Sequence, residues 1–145
     1  MKKFELTSDF VTFLGKKLFR IRALIEFGDV KAGELGGYVE KEENLAQDGD
    51  AWVYGDAKVY GDAQVYGDAW VCGDADYAYA HGFGSEYRTT TFFRLKDGGV
   101  GVRCGCFYGT LQEFRDKVRE THGKTKKARE YLMLADLMEL RFSEE

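Results

Sequence analysis

The sequence predicts a mainly β protein: a short parallel β-helix, capped by an N-terminal β-hairpin and by a C-terminal α/β unit of one hairpin and two helices. Three observations predict it. Residues 51–74 read AWVYGD, AKVYGD, AQVYGD, AWVCGD, a repeat of period six. The 145 residues contain 18 glycines and no proline, and 11 of the glycines lie between Gly28 and Gly84. The flanks carry hairpin and helix-cap signals rather than the repeat.

The repeat sets the architecture. Val53, Val59, Val65 and Val71 form one column, with Ala51, Ala57, Ala63 and Ala69 two residues earlier and Ala75 opening a fifth unit. Residues two apart on a strand share a face, so Ala and Val point inward together. Gly55-Asp56, Gly61-Asp62, Gly67-Asp68 and Gly73-Asp74 then turn the chain: Gly tolerates positive φ and Asp can bond its own backbone. A short strand and a turn every six residues is the hexapeptide pattern of a parallel β-helix. Stacked strands need their N–H groups, which accounts for the missing proline. Val39 and Leu45 are expected to begin the stack, with Gly33, Gly36 and Gly37 leading in.

The caps follow in chain order. Phe10–Leu14, Gly15-Lys16-Lys17 and Leu18–Ile25 read as a hairpin, with Phe19, Ile21, Ala23 and Ile25 on one face. Arg88–Leu95 and Val100–Phe107 read as strands joined at Lys96-Asp97-Gly98-Gly99. Thr110 to Glu113 is a capping box that opens a helix ending at Gly123. A second helix runs from about Thr125 to Arg141, with Tyr131, Leu134, Ala135, Met138 and Phe142 buried. The expected divisions are 1–27 for the N-terminal cap, 28–80 for the repeat and 81–145 for the C-terminal module.

Composition excludes several classes. Eleven Phe, nine Tyr and two Trp exclude a disordered acidic chain. Glycine does not recur every third residue, which excludes collagen. No apolar run approaches the ~18 residues that span a bilayer, and no signal peptide is visible. Three cysteines, Cys72, Cys104 and Cys106, suit reduced thiols. A soluble protein of the bacterial cytoplasm, with no membrane partner, is the expectation. The net charge of -4 is unevenly spread. Residues 28–87 carry thirteen acids against three lysines, while 1–27 and 88–109 are each net basic. Such a negative body repels DNA, so it should not bind nucleic acid directly, and it suits a basic protein partner.

Residues 27–57 resemble the start of hexapeptide-repeat proteins often labelled putative transferases. Residues 87–123, with CGCFYGTLQEF at 104–114, and the tail AREYLMLADLMEL at 128–140 resemble small hexapeptide-repeat proteins of phages and prophages of gut Firmicutes. The resemblance implies a left-handed β-helix with three hexapeptides per coil, hence about two coils here. It also implies a phage context but no particular activity. In such a coil residues 18 apart stack, placing Trp52 over Trp70 and Val53 over Val71. Both tryptophans, together with Tyr54, Tyr60 and Tyr66, are expected to face outward, where either a cap covers them or they form an interface, including one between copies of the chain.

The function expected from these readings is binding rather than catalysis. A phage accessory protein of this kind would antagonise host defence by gripping a protein effector, such as a CRISPR-Cas or other nucleic-acid-handling enzyme, through Trp52, Tyr54, Tyr60, Asp62, Tyr66, Asp68 and Trp70. An alternative is sequestration of a nucleotide signal by Arg88, Thr90, Arg94 and Arg103, since a basic-aromatic strand can stack a base and hold a phosphate. A third is acyl transfer. The acyltransferases of this repeat family use a catalytic His, and His81 is the plausible general base, with Glu86 its nearest candidate partner; His122 sits where a helix C-terminus favours it. Cys104 and Cys106, two apart, could join Cys72 or a His on zinc, although their spacing is tighter than the usual zinc pair. Buried reduced thiols explain them more simply. Asp56, Asp62 and Asp68 fall on different corners and do not converge on one calcium-type cation. No catalytic residue, metal or cofactor is therefore assigned.

Overall fold

The structure is a computed structural model describing residues 2–143, apart from the side chain of Asp74. Among the described residues, ten strands, β1 (Phe4–Phe13), β2 (Lys16–Ala23), β3 (Leu35–Val39), β4 (Trp52–Val53), β5 (Lys58–Val59), β6 (Trp70–Val71), β7 (Tyr77–Phe83), β8 (Arg88–Arg94), β9 (Val100–Cys104) and β10 (Phe107–Thr110), precede two helices, α1 (Leu111–His122) and α2 (Lys126–Phe142).

These strands do not build the expected two-coil β-helix, and that expectation is corrected. They form three separate sheets: a mixed one in the order β1-β2-β3-β5, a parallel pair β4-β6, and an antiparallel one in the order β10-β9-β8-β7. The repeat strands are only two residues long; β4 and β6 pair with each other, while β5 pairs with β3 from outside the repeat. Trp52 pairs with Trp70 and Val53 with Val71, 18 residues apart. Val39 pairs with Val59, and Leu45 meets Val65, at an offset of 20. A short helical turn at Glu42–Asn44 lies in the lead-in segment, so it is out of phase with the repeat. β2 then takes the other edge of β3 in the antiparallel sense. Past Val71, a turn at Asp74–Asp76 sends the chain into antiparallel β7 instead of a fifth unit.

The inward columns nevertheless make a core. All four repeat valines and the alanines before them are buried, together with Val39, Leu45 and Ile21. Both ends of that core are plugged by flanking aromatics. Trp52 is wholly buried, between Phe4 at 6.3 Å and Phe27 at 5.2 Å. At the other end Phe93 and Tyr77 enter the same cluster from β8 and β7. The twin tryptophans are thus not equivalent: Trp52 lies under the N-terminal sheet, and Trp70 stays half-buried.

Lys3 closes the N-terminal side. Its ammonium is buried and donates to the carbonyls of Ala51 at 2.8 Å and Gly49 at 3.3 Å, 4.7 Å from the centre of the Phe27 ring. It thereby satisfies the carbonyls at the start of β4, which a buried edge cannot leave bare. Burial pulls the Lys3 ammonium down from the usual 10.5 to about 8, against the opposing pull of Asp50 and Asp48.

The hairpin at the N-terminus is longer than its sequence suggests, because β1 begins at Phe4 and pairs there with Ala23. Leu14 and Gly15 make its turn, both at positive φ. The C-terminal unit likewise exceeds one hairpin. Gly105 and Cys106 break the expected Val100–Phe107 strand into β9 and β10, and β7 completes four strands. This sheet is two-sided. Thr91, Phe93, Tyr79 and Tyr108 face the repeat, while Phe92 and Val102 face the helices. Glycine is needed at the first contact: a Cβ at Gly61 would overlap the Tyr79 hydroxyl, and one at Gly67 the Tyr108 hydroxyl. Thr91 accepts from the Gln64 N–H at 3.0 Å on the same face.

The helices form as expected. Thr110 and Glu113 exchange cap hydrogen bonds of 2.9 and 3.2 Å, and Thr125 caps α2. Ala128, Tyr131, Ala135, Met138 and Phe142 are the buried stripe of α2; Leu134 is only half-buried. No helix among the described residues is long and apolar enough to cross a membrane.

Two predictions test the plugs. Trp52→Ala should cost about 3–5 kcal/mol in urea unfolding, as a large buried side chain does, and Trp70→Ala about 1 kcal/mol or less; equal costs would contradict the assignment. For Lys3, between about pH 8 and 10.5 the unfolded chain binds more protons than the folded one, so stability should rise with pH across that window. Relative to Lys3→Met, the wild type should gain on the order of 1–2 kcal/mol from pH 7.5 to 10. Parallel profiles would refute the burial of that charge.

Candidate functional site

The outward repeat residues do not share one exposed face. Tyr60 rests on Phe13, with ring centres 5.5 Å apart. Tyr66 lies beneath the Arg103 guanidinium at 4.2 Å. Asp62 pairs with Lys41 at 3.4 Å, and Asp56 with Arg20 at 3.1 Å. With Trp52 in the core, the expected aromatic ladder is dismantled. Each of these residues meets a different neighbour from outside the repeat, which the repeat's own residues cannot announce.

Three of the expected residues do converge. Tyr54, Asp68 and Trp70 line a recess of about 40 Å³ with Asp29 and Asp50. The Tyr54 and Trp70 rings are 5.4 Å apart. Lys96, from the β8–β9 turn, lines the same recess. Its ammonium lies 2.7 Å from Asp29 Oδ2 and 5.7 Å from the centre of the Trp70 ring. The turn is anchored where the Lys96 N–H donates to the Asp68 carbonyl at 3.0 Å. The hydrogen bond to Asp29, with Asp50 and Asp68 nearby, holds the Lys96 ammonium above its usual range. Burial, followed by Asp29 and other acids, pushes the Tyr54 hydroxyl up, so it stays protonated. Carboxylates beside an indole face suit a cation chemically. Lys96 and its side chain remain about half exposed, at 56%. Asp29, Asp50 and Lys96 were missed in the sequence because they come from three separate loops.

Arg88, Thr90, Arg94 and Arg103 are not brought together. Strand alternation puts Arg103 opposite Thr91 on the repeat side, and Thr90 opposite Cys104 on the helix side. Arg94 bonds Asp76 at 3.1 Å and the Phe142 carbonyl at 3.4 Å, pinning the end of α2. Thr90 is buried and donates to Cys104 Sγ at 3.3 Å. Arg88 alone of the four reaches open space, at the mouth of a cavity of about 270 Å³ between the sheet and the helices. Lys117 and His122 of α1 line the same cavity, over a floor of Phe107, Phe114 and Tyr131. His122 thus faces the Tyr131 ring, 5.9 Å between centres, at the helix end predicted for it.

His81 is exposed, with Nδ1 2.8 Å from Thr89 Oγ1. Glu86 does not orient it, being bonded to Arg88 instead. His81 borders an open groove of about 490 Å³ with Lys41, Glu43, Asp62 and Arg88. Cys106 is exposed and Cys104 half-buried, so the burial expected for this pair does not hold, and Cys72 is exposed as well. No group of three or more His, Cys, Asp or Glu among the described residues could hold a metal ion.

No protein-family model matches the chain. A stretch of 37 residues is 46% identical to an uncharacterized acetyltransferase, YdcK, of Escherichia coli strain K12. The match covers 26% of this chain and 11% of that protein, so the chain corresponds to a small part of its relative. The resemblance to hexapeptide-repeat proteins therefore stands at that partial level. The expected phage origin and anti-CRISPR role find no support in it and are dropped, as the β-helix is on the evidence of the sheets.

Proposed function

We propose that the protein works by binding, and that the recess of Asp29, Asp50, Asp68, Tyr54 and Trp70 receives a cationic side chain of a partner protein. The observation that carries this reading is Lys96, a cation of this chain already held at the wall of the recess, bonded to Asp29 and set against Trp70. The space of about 40 Å³ left beside Lys96 suits a side-chain head group rather than a free metabolite. Exposed ion pairs hold weakly, so a partner's lysine or arginine can displace Lys96 at small cost. The thirteen acids of residues 28–87 supply a field that steers such a partner in. Proteins that handle nucleic acid carry segments of this kind and are one class it would suit.

A second reading, acyl transfer, is favoured by the likeness to an acetyltransferase and by the groove beside His81. His81 would act there as general base. It requires that His81→Ala abolish turnover of acetyl-CoA, and a wild-type chain that binds no acyl-CoA in calorimetry would eliminate it.

Binding at the recess is checked with a fluorescent lysine- and arginine-rich peptide at low salt. Lys96→Ala should tighten binding about 3-fold, and Asp68→Lys or Asp29→Asn should weaken it about 5- to 10-fold, with wild-type affinity falling as salt rises. Equal affinities for the wild type and Asp68→Lys would sink the proposal.

A further inference from the structure

We propose that the cavity between the C-terminal sheet and the helices binds a small aromatic phosphate of nucleoside monophosphate size. Three features of its lining carry this. The floor is apolar and aromatic: Phe107 and Phe114 have ring centres 5.8 Å apart, and Phe114 meets Tyr131 edge-on at 5.5 Å. Such a floor offers stacking and edge contacts to one ring system. The mouth carries two cations, Arg88 and Lys117, with His122 beside them, against one acid, Glu86, which is itself held by Arg88. The side chains of Arg88 and Lys117 are 41% and 54% exposed, and their ion pairs with Glu86 and Glu120 are of the exposed, weak kind that an anion can displace. Arg88 can offer a planar fork of donors to a phosphate.

The third feature is polar and lies deep. The Tyr131 hydroxyl sits 3.7 Å from Cys104 Sγ, which already accepts from Thr90. Burial and the Cys104 contact push that hydroxyl far above its usual range, so it remains a donor at neutral pH. A donor behind an aromatic floor would read the polar edge of a heterocycle.

Charge outside the cavity points the same way. Arg119, Lys124, Lys126, Lys127 and Arg129 surround the α1–α2 turn, beside Lys117, with Glu120 the one acid from residue 117 to 129. The other acids of the C-terminal segment lie at Glu113 and Asp116, in the first half of α1, and from Glu130 onward. Part of this cluster, Arg119, Lys124 and Arg129, lines a neighbouring groove, and the local excess of positive charge favours an anion nearby. At about 270 Å³ the cavity is below the usual range for drug-sized ligands, which limits the occupant to one ring system with its phosphate. It is also far from the Lys96 recess. Arg88 opens β8 and Lys96 lies beyond its end, roughly 25 Å along an extended strand. The two sites can therefore succeed or fail separately.

The test is calorimetric titration of the full chain with phenyl phosphate and the four common nucleoside monophosphates, with inorganic phosphate and phenol as controls. At least one aromatic phosphate should bind with Kd of about 1 mM or tighter, and about 10-fold tighter than either control. Arg88→Gln and Lys117→Gln, both at exposed positions, should each weaken it about 5-fold. Thr121→Trp, which fills the mouth from the surface of α1, should abolish it, with unfolding curves showing that each variant folds. No binding of any aromatic phosphate at 10 mM (about the practical limit) overturns the proposal. So does binding that survives Thr121→Trp, or inorganic phosphate binding as tightly as the aromatic phosphates.

Discussion

The structure depends on closing the two ends of the repeat core. Two-residue strands bury their alanines and valines but cannot shut off their own edges. Trp52, with Phe4 and Phe27 over it, closes one end. Phe93 and Tyr77 close the other. Lys3 satisfies the carbonyls that the first plug leaves behind. Without these groups the parallel pairings would present bare N–H and C=O groups to water or to another chain. The flanking sheets are therefore part of the repeat's stability, not ornaments on an independent solenoid.

The same closure explains where recognition can occur. By spending its outward aromatics on internal contacts, the repeat retains one corner where carboxylates and indole remain partly open, and Lys96 marks it. The antiparallel sheet β7–β10 does the rest. One of its faces clamps the Gly-Asp turns through Tyr79 and Tyr108. Its other face carries the helices and the aromatic-floored cavity. β8 joins the acidic corner to the cationic mouth, so opposite charge preferences lie at opposite ends of one strand.

Much of the local structure was legible in the sequence because it rests on short-range rules. The inward Ala and Val columns follow from period-two alternation, and the Thr110–Glu113 box and Gly123 delimit α1 from cap chemistry. What escaped was non-local. Trp52 and Trp70 occupy the same place in the same motif, yet only Trp52 lies under Phe4, from the far N-terminus. Tyr77-Ala78-Tyr79-Ala80 continues the repeat's alternation, so nothing nearby signals that it turns to pair with β8. The β-helix expectation failed for a related reason. It assumed one offset throughout, and the Glu42–Asn44 turn sets the lead-in apart from the repeat. The cavity draws Arg88, Lys117 and Tyr131 from elements that only tertiary packing brings together.

If the repeat core stands only because both flanks plug it, it should not unfold or persist alone. Native-state hydrogen exchange measures this directly. The amides of Tyr54, bonded to Val71, and Val65, bonded to Asn44, report the repeat; that of Phe93 reports the C-terminal sheet and that of Ile21 the N-terminal one. The account predicts that the most protected amides of all three regions open with one shared free energy, that of global unfolding, and shift together with denaturant. Repeat amides that stay protected after the flanking sheets have opened would contradict it, and would restore the independent solenoid.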